Sequence, residues 1–486
     1  MAYIILNLKP TNRLIILYAT AVISAVYIAS QSAYWQIVLC AVGIAYLALI
    51  IKYPKNMGIY IIIPLFLFSA YRTNLDITRH QRMQEFTQKE EINITGRVID
   101  LSGSFCVIQA ESIDKVLVKG RAKIWNEDGF EVEVGDKIIA NISPQPDTKA
   151  KFYGDFDYIK QNLSLHQYIF GFNKSYKITK KSNSVMKIVY NFRQNIKERF
   201  DMLFPKNEAN TAKALLLGDM SEVDAETKQE IKDSGASHIF AVSGQHLSII
   251  SLGLMFLLGI ICKGSKTKNI IAIFVIIIYS VLVGYSASVL RSAIMIIKYL
   301  SAFLINRRDD PIDSVFFSAI IVVLLFPFSI FTPNFLLSYV AILGILLLSG
   351  PFSKVKIKYY KIVTMIFASL SAIIASSIFM AYFFKQINLT SIWSSAILDV
   401  PITLALFGIL LIAFFPFLSG VLANVTYLLL HLTNVLISKM ADTKVVISTG
   451  TPVFIIFVCF GFIIFFLHVI IEKGIVPWLN NRLRES

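Results

Sequence analysis

The sequence predicts a polytopic α-helical membrane protein of about twelve transmembrane helices that carries a small β-barrel domain. Three observations predict it. First, 56% of the 486 residues are hydrophobic and only 16% are charged, whereas roughly a quarter are charged in soluble domains. The mean hydropathy is +0.65. Second, apolar segments of bilayer length recur in two blocks, on either side of a polar stretch from about Arg72 to Ser234. Third, that polar stretch begins with a polar linker and then carries short runs rich in Val and Ile, bounded by turn residues.

Apolar segments near 14–31, 35–51 and 57–71 give three spans. The run after Arg13 is long for a signal-peptide core and lacks a small-residue cleavage site, so it is expected to be the first span. Lys9 and Arg13 precede it, and Lys52 and Lys55 follow the second span. By the positive-inside rule these belong in the cytoplasm, which places 72–234 outside.

Within the polar stretch, Glu91–Asp100, Phe105–Ala110, Val116–Trp125 and Asp136–Ser143 are expected strands. Turn residues at Ser102-Gly103, Asp128-Gly129 and Gly135-Asp136 bound them. Short consecutive strands of this total length suit an OB-like barrel. From Val185 to Phe204 the apolar period becomes helical, as expected of an amphipathic helix on the membrane face.

Nine further spans fall near 239–262, 270–287, 289–305, 312–328, 335–350, 362–384, 392–414, 421–438 and 453–471. With the first running inward, Lys263, Lys266, Lys268, Arg307, Arg308, Lys354, Lys356, Lys358 and Lys361 all become cytoplasmic, as does the tail with Lys473, Arg482 and Arg484. Pro401 and Pro416 mark segments where a helix is expected to break or re-enter. The expected organisation is therefore 1–71, an N-terminal membrane segment; 72–184, the extracytoplasmic barrel; 185–235, amphipathic and juxtamembrane helices; 236–471, a membrane channel domain; and 472–486, a cytoplasmic tail.

The four cysteines are scattered: Cys40, Cys262 and Cys459 lie in apolar spans and Cys106 stands alone in the barrel region. That leaves no intradomain disulfide to propose.

Chemistry concentrates between Ala214 and His246, ALLLGDMSEVDAETKQEIKDSGASHIFAVSGQH. An apolar run stops at Gly218-Asp219, and after a charged helical segment His238, Ser243, Gly244 and His246 stand at the mouth of a span, where polar groups must be paired or face water. Ser243 and His246 invite a serine-nucleophile reading, with Asp219 as the available carboxylate, but the Gly-x-Ser-x-Gly elbow is missing. There is no His-Glu-x-x-His motif, and no metal is expected. The plainer reading is that these groups pair with one another at a bent helix start. Arg291, after Ser286 and Ser288, is a charge inside a span; it either snorkels to the surface or contacts phosphate. Ser338 reads first as a helix-packing residue. His431 and Asp399 are further intramembrane ionisable groups.

These motifs carry a resemblance. "ALLLGD" with "SHIFAVSGQH", then Gly284 to Met295 with "SVLRSAIM", then "NFLLSY" from Asn334, resemble the ordered motifs of the ComEC/Rec2 competence family. A weaker match lies at Gly154-Asp-Phe-Asp-Tyr158. The resemblance implies an inner-membrane, multi-pass bacterial channel for single-stranded DNA, working with a DNA receptor and a cytoplasmic translocase. It points to Asp219, His238, Ser243, Gly244, His246, Arg291 and Ser338 as path residues. Many members carry a C-terminal metallo-β-lactamase-like domain. No His-x-His-x-Asp-His run occurs here, so the form without that domain, and without nuclease activity, is expected. Gln245 stands where members usually have an apolar residue. No cofactor is expected, and no Walker-type loop supplies energy. A homodimer is compatible with the sequence.

Charge agrees with a polyanion. The chain carries net +15, and Lys137 to Arg199 holds twelve Lys and Arg against four Asp and Glu. Aromatic residues are interleaved there, and basic surfaces with aromatic platforms bind single strands. Lys149, Lys151, Tyr153, Phe156, Tyr158 and Lys160 are the expected contacts. Asn207 to Gly235, with seven acids against three bases, is a face a polyanion would avoid. Two other readings stay open: a transporter for another anionic solute, and a membrane-bound hydrolase using Ser243 and His246.

Overall fold

The structure, a computed structural model, describes residues 10–31, 44, 61–102, 104–127, 129–146, 157–181, 185–240, 242, 244–262, 264–284, 286–349 and 360–448. The expected spans near 35–51 (apart from Ile44) and 453–471, and the tail 472–486, lie outside these residues. The chain forms two compact units. One comprises Lys9–Gln194 with Ala319–Thr332, the other Asn195–Ser318 with the chain from Pro333.

The first unit opens with α1 (Pro10–Gln31) and α2 (Ile62–Gln84). They meet through small residues, Ala21, Ala25, Ala29 and Ala70, which cluster with Ile62 and Phe66. Small side chains let helix backbones approach where lipid offers no hydrophobic contrast. The polar linker expected after residue 71 is not a linker. Instead α2 continues unbroken to Gln84. Its polar half stays helical because one face is buried: Ser69, Ala70, Thr73, Asp76 and Met83 recur at helical spacing.

The expected small barrel is present. β1 (Ile92–Ser102), β2 (Phe105–Ile113), β3 (Val116–Trp125), β4 (Lys137–Gln145) and β5 (Gln167–Lys180) close in the order β1-β2-β3-β5-β4. All neighbours are antiparallel except β3 and β5. Alternate residues point inward, so Ile92 and Ile94, Ala122 and Ile124, and Ile138, Ala140 and Ile142 fill the core. A short helix of about two turns, α3 (Tyr158–Ser164), capped by the Asp157 carboxylate, precedes β5. The sequence reading missed β5 because lysines punctuate its outer half, Lys174, Lys177 and Lys180, and obscure the alternation. Met83 of α2 enters the barrel core, Gln84 Nε2 donates to the Tyr168 carbonyl at 2.9 Å, and the Tyr168 hydroxyl donates to buried Asp76 at 3.2 Å.

α4 (Val185–Leu203) is the expected amphipathic helix, with Ile188 and Met202 exposed. In the second unit α5 (Lys206–Leu217) and α6 (Ala225–Asp233) follow, then the short α7 (Ser237–Phe240). The apolar helices are α8 (Gly244–Ile261), α9 (Ser265–Val283), α10 (Ala287–Leu304), α11 (Pro311–Leu325), α12 (Pro333–Gly344), α13 (Tyr360–Phe384), α14 (Ser391–Phe414) and α15 (Ser419–Asp442). Two three-residue strands, β6 (Gln386–Asn388) and β7 (Val446–Ser448), pair antiparallel. Among the described residues four stretches are long and apolar enough to cross a membrane: Ser265–Val283, Ala287–Leu304, Trp393–Phe414 and Pro416–Asp442. The chain is thus a helical membrane protein with a barrel. The break expected at Pro401 does not occur; α14 runs through it. Pro416 does mark a junction, starting the 3-10 turn between α14 and α15.

Candidate functional site

Two places in the molecule gather the chemistry, one in each unit. The first lies where α8, α10 and α12 begin. Ser286 caps α10, its hydroxyl accepting from Val289 N at 3.3 Å. One turn further on, Arg291 is 8% exposed, so the surface-snorkelling reading does not describe it. Its Nε donates to the Ser338 hydroxyl of α12 at 2.7 Å, and the guanidinium lies 5.8 Å from the Tyr339 ring centre. The Ser338 hydroxyl in turn stands 3.4 Å from that of Ser288. Gly244, first residue of α8, faces the same cluster. A Cβ added there would come within 2.8 Å of Ser292 Oγ and 3.0 Å of an Arg291 terminal nitrogen. The structure therefore brings together Gly244, Arg291 and Ser338, three of the residues expected to line a path, from three separated motifs.

The other residues expected on that path part company. His246 is buried in α8 at 2% exposure. Ser243 lies outside the described residues. Asp219, which follows the left-handed Gly218 that ends α5, pairs with Lys197 at 2.5 Å and accepts from the amide and hydroxyl of Ser221 at 3.0 and 2.6 Å. Burial opposes its charge, yet Lys197 and Ser221 hold its carboxyl well below the usual range.

His238 belongs to a neighbouring polar edge. Asn388 donates to the carbonyls of Lys232 and Asp233, at 3.0 and 2.9 Å, closing the end of α6. Gly235 then turns the chain at φ +74°, with the Ser391 backbone so close that a Cβ has no room. This docking sets His238 against α14: Nδ1 lies 3.0 Å from the Gly235 carbonyl and Nε2 3.2 Å from Ser395 Oγ. Two turns in, Gln245 Nε2 of α8 donates to Asp399 Oδ1 of α14 at 3.4 Å. Sequence reasoning noted Gln245 and Asp399 singly but not their pairing; only the fold joins positions so far apart in the chain. His431 is committed elsewhere, to Glu208 at 2.9 Å.

The second place is the outer face of the barrel. Phe105, Trp125 and Phe172 are register neighbours across β2, β3 and β5. Trp125 lies 6.0 Å from both Phe170 and Phe172, centre to centre. Lys123 Nζ sits 4.1 Å from the Phe105 ring centre and 5.0 Å from that of Trp125. Packing against these rings lowers the Lys123 pKa, partly offset by Asp100. Phe172 is half exposed. Lys123 with Trp125, and Phe170 with Phe172, are two apart on their strands, and that period-two signal in the sequence could have found them. Of the residues expected there, Lys149, Lys151, Tyr153 and Phe156 lie outside the described residues. Tyr158 is exposed on α3. Lys160 is already engaged, by Asp157 at 3.3 Å and over the Phe331 ring at 4.7 Å.

Residues 215–474, which hold Gly244, Arg291 and Ser338, match the family model described as Competence protein. The chain belongs to this competence family. It is also similar to ComE operon protein 3 of Bacillus subtilis (strain 168), with 26% identity over 291 residues, 59% of this chain and 37% of that protein. It thus spans little more than a third of that relative's length in the matched region. No solved structure matches. Within the family region lie all the residues expected on the path, from Asp219 to Ser338.

Proposed function

We propose that the chain moves single-stranded DNA inward across a bacterial cytoplasmic membrane as a multi-pass channel of about twelve spans, with the OB-like barrel outside. Family membership frames this reading, and one observation carries it: the Phe105–Trp125–Phe172 row with Lys123 set among the rings. Small barrels of five strands bind oligonucleotides on the face of their second and third strands. Aromatic rings stack on unpaired bases of any sequence, and a cation beside them meets phosphate. The Gly244–Arg291–Ser338 cluster is the channel's constriction in this account. DNA is handed over by a receptor and drawn in by a cytoplasmic translocase, and a homodimer is the simplest assembly. Hydrolysis is less well supported, because Asp219 is taken up by Lys197 and Ser221.

Titration of the purified full chain with a labelled oligonucleotide tests the barrel's part. Trp125→Ala is expected to weaken binding by about 1–3 kcal/mol, the range for a base-stacking ring. Lys123→Ala is expected to weaken binding and flatten its salt dependence by about one phosphate contact. Unchanged affinity in both variants would remove the observation on which the reading rests.

A further inference from the structure

Asp399, Gln245 and Ser395, on the polar edge that α8 and α14 share with His238 of α7, have no role in the DNA reading, and a carboxylate is a poor lining for a polyanion. Asp399 lies inside the apolar stretch Trp393–Phe414. It is six residues in, about 9 Å at the helical rise of 1.5 Å per residue. It is half-buried, and Gln245 and His238 beside it are exposed. Facing hydrocarbon, a bare carboxylate is costly to keep. An edge that keeps one there together with an amide, an imidazole and a hydroxyl is built to face water. The contact Asp399 makes is a neutral one, the Gln245 amide at 3.4 Å, and His238 is the charge-bearing group that faces it.

The hydrogen bonds at His238 add a second, independent sign. Nδ1 donates to the Gly235 carbonyl at 3.0 Å. The Ser395 hydroxyl has one proton and two acceptors in reach, the Ser391 carbonyl at 2.7 Å and His238 Nε2 at 3.2 Å. With a neutral imidazole, one acceptor goes without. With a proton on Nε2, the ring donates to Ser395, Ser395 donates to Ser391, and every group is satisfied. The site thus accommodates both states of the ring by turning one hydroxyl.

We propose that Asp399 and His238, with Gln245 and Ser395 as their hydrogen-bonding partners, form an intramembrane proton-binding site through which the protein passes protons. A proton from water on one side adds to the Asp399 carboxylate, giving the neutral acid. It passes, directly or through water, to His238 Nε2, giving the imidazolium, and leaves from there to water. Asp399 and His238 each return to their starting state, and only O–H and N–H bonds change. A proton suits this donor set. One carboxylate, one amide, one imidazole and one hydroxyl fall short of the six or more oxygens a hard divalent cation takes.

The test needs no nucleic acid, so it stands or falls apart from the DNA reading. The purified full chain is reconstituted into vesicles that hold a pH-sensitive dye, and a potassium gradient with valinomycin drives protons across. Wild-type vesicles are expected to change internal pH faster than empty ones. Asp399→Asn, close in shape but not titratable, should fall to the empty-vesicle rate. Asp399→Glu should recover part of the flux. Ser395→Ala, which removes the turning hydroxyl, should slow it, and this variant decides the matter if Asp399→Asn does not elute as a folded species. Wild-type flux equal to that of empty vesicles would overturn the proposal. So would undiminished flux in folded Asp399→Asn or in Ser395→Ala.

Discussion

Arg291 and Ser338, 47 positions apart, are joined by a 2.7 Å bond from the guanidinium Nε to the hydroxyl. The bond ties the start of α10 to the start of α12 and holds a buried charge beside Gly244. Removing the acceptor should therefore be felt as lost stability. A buried donor left without its partner costs about 1–3 kcal/mol. Ser338→Ala is expected to unfold at lower temperature in detergent, while Ser338→Thr, which keeps the hydroxyl, stays near wild type. Equal melting of the alanine variant would mean that the bond does not hold the cluster.

Gly244 is required for space. Gly244→Ala places a methyl 2.8 Å from Ser292 Oγ and 3.0 Å from the guanidinium. Overpacking of this kind costs about 1–3 kcal/mol. The remedy is specific: Ser292→Ala removes the nearest atom, so the double variant should recover part of both stability and DNA uptake. A double variant no better than the single one would place the harm elsewhere.

Cys106 gives a pH prediction for the barrel. Burial, with a smaller push from Asp100, raises its thiol from 9.0 to about 12. Below pH 9 the folded and unfolded chains both carry the neutral thiol, and the residue adds no pH dependence. Between pH 9 and about 12 the unfolded chain ionises and the folded chain does not, so stability falls as pH rises. The slope is about 1.4 kcal/mol per pH unit. Cys106→Val should lack this component. In the native protein a maleimide at neutral pH should leave Cys106 untouched and modify it only after denaturation. Ready labelling of the folded chain would show the barrel interior to be open.

Orientation is testable with single cysteines. Lys119 of β3 and Lys266 of α9 are both exposed. In a background without Cys40, Cys106, Cys262 and Cys459, Lys119→Cys should react with an impermeant reagent added outside cells. Lys266→Cys should react only after the membrane is opened. The reverse pattern would invert the topology.

Much of this architecture was legible in the sequence, for identifiable reasons. Alternation of Val and Ile gave four of the five barrel strands, because a closed barrel buries every second residue. β5 escaped because the exposed Lys174, Lys177 and Lys180 interrupt the alternation of the half that packs Tyr176 and Ile178 against the core. The helical continuation of α2 escaped because its buried face uses Thr73 and Asp76, polar residues that hydropathy counts against a packed helix. At the candidate site, motif order named Gly244, Arg291 and Ser338, and their meeting is a matter of helix packing. Sequence offered Lys160 for DNA, but Asp157 and Phe331 engage it. Lys123 and Trp125 lie before the basic stretch Lys137 to Arg199, so net charge does not mark them; only their shared strand face does. The pairing of Gln245 with Asp399 has no sequence signal, since 154 residues separate them.

The central claim is that this chain brings single-stranded DNA through the membrane. The direct measurement is the amount of labelled DNA that becomes resistant to external nuclease in competent cells where this chain replaces the resident family member. The account predicts that protected single strands accumulate inside, and that Trp125→Ala with Phe172→Ala sharply reduces them at unchanged protein level. Protected DNA no greater than in cells lacking the chain, with the protein correctly inserted, would contradict it.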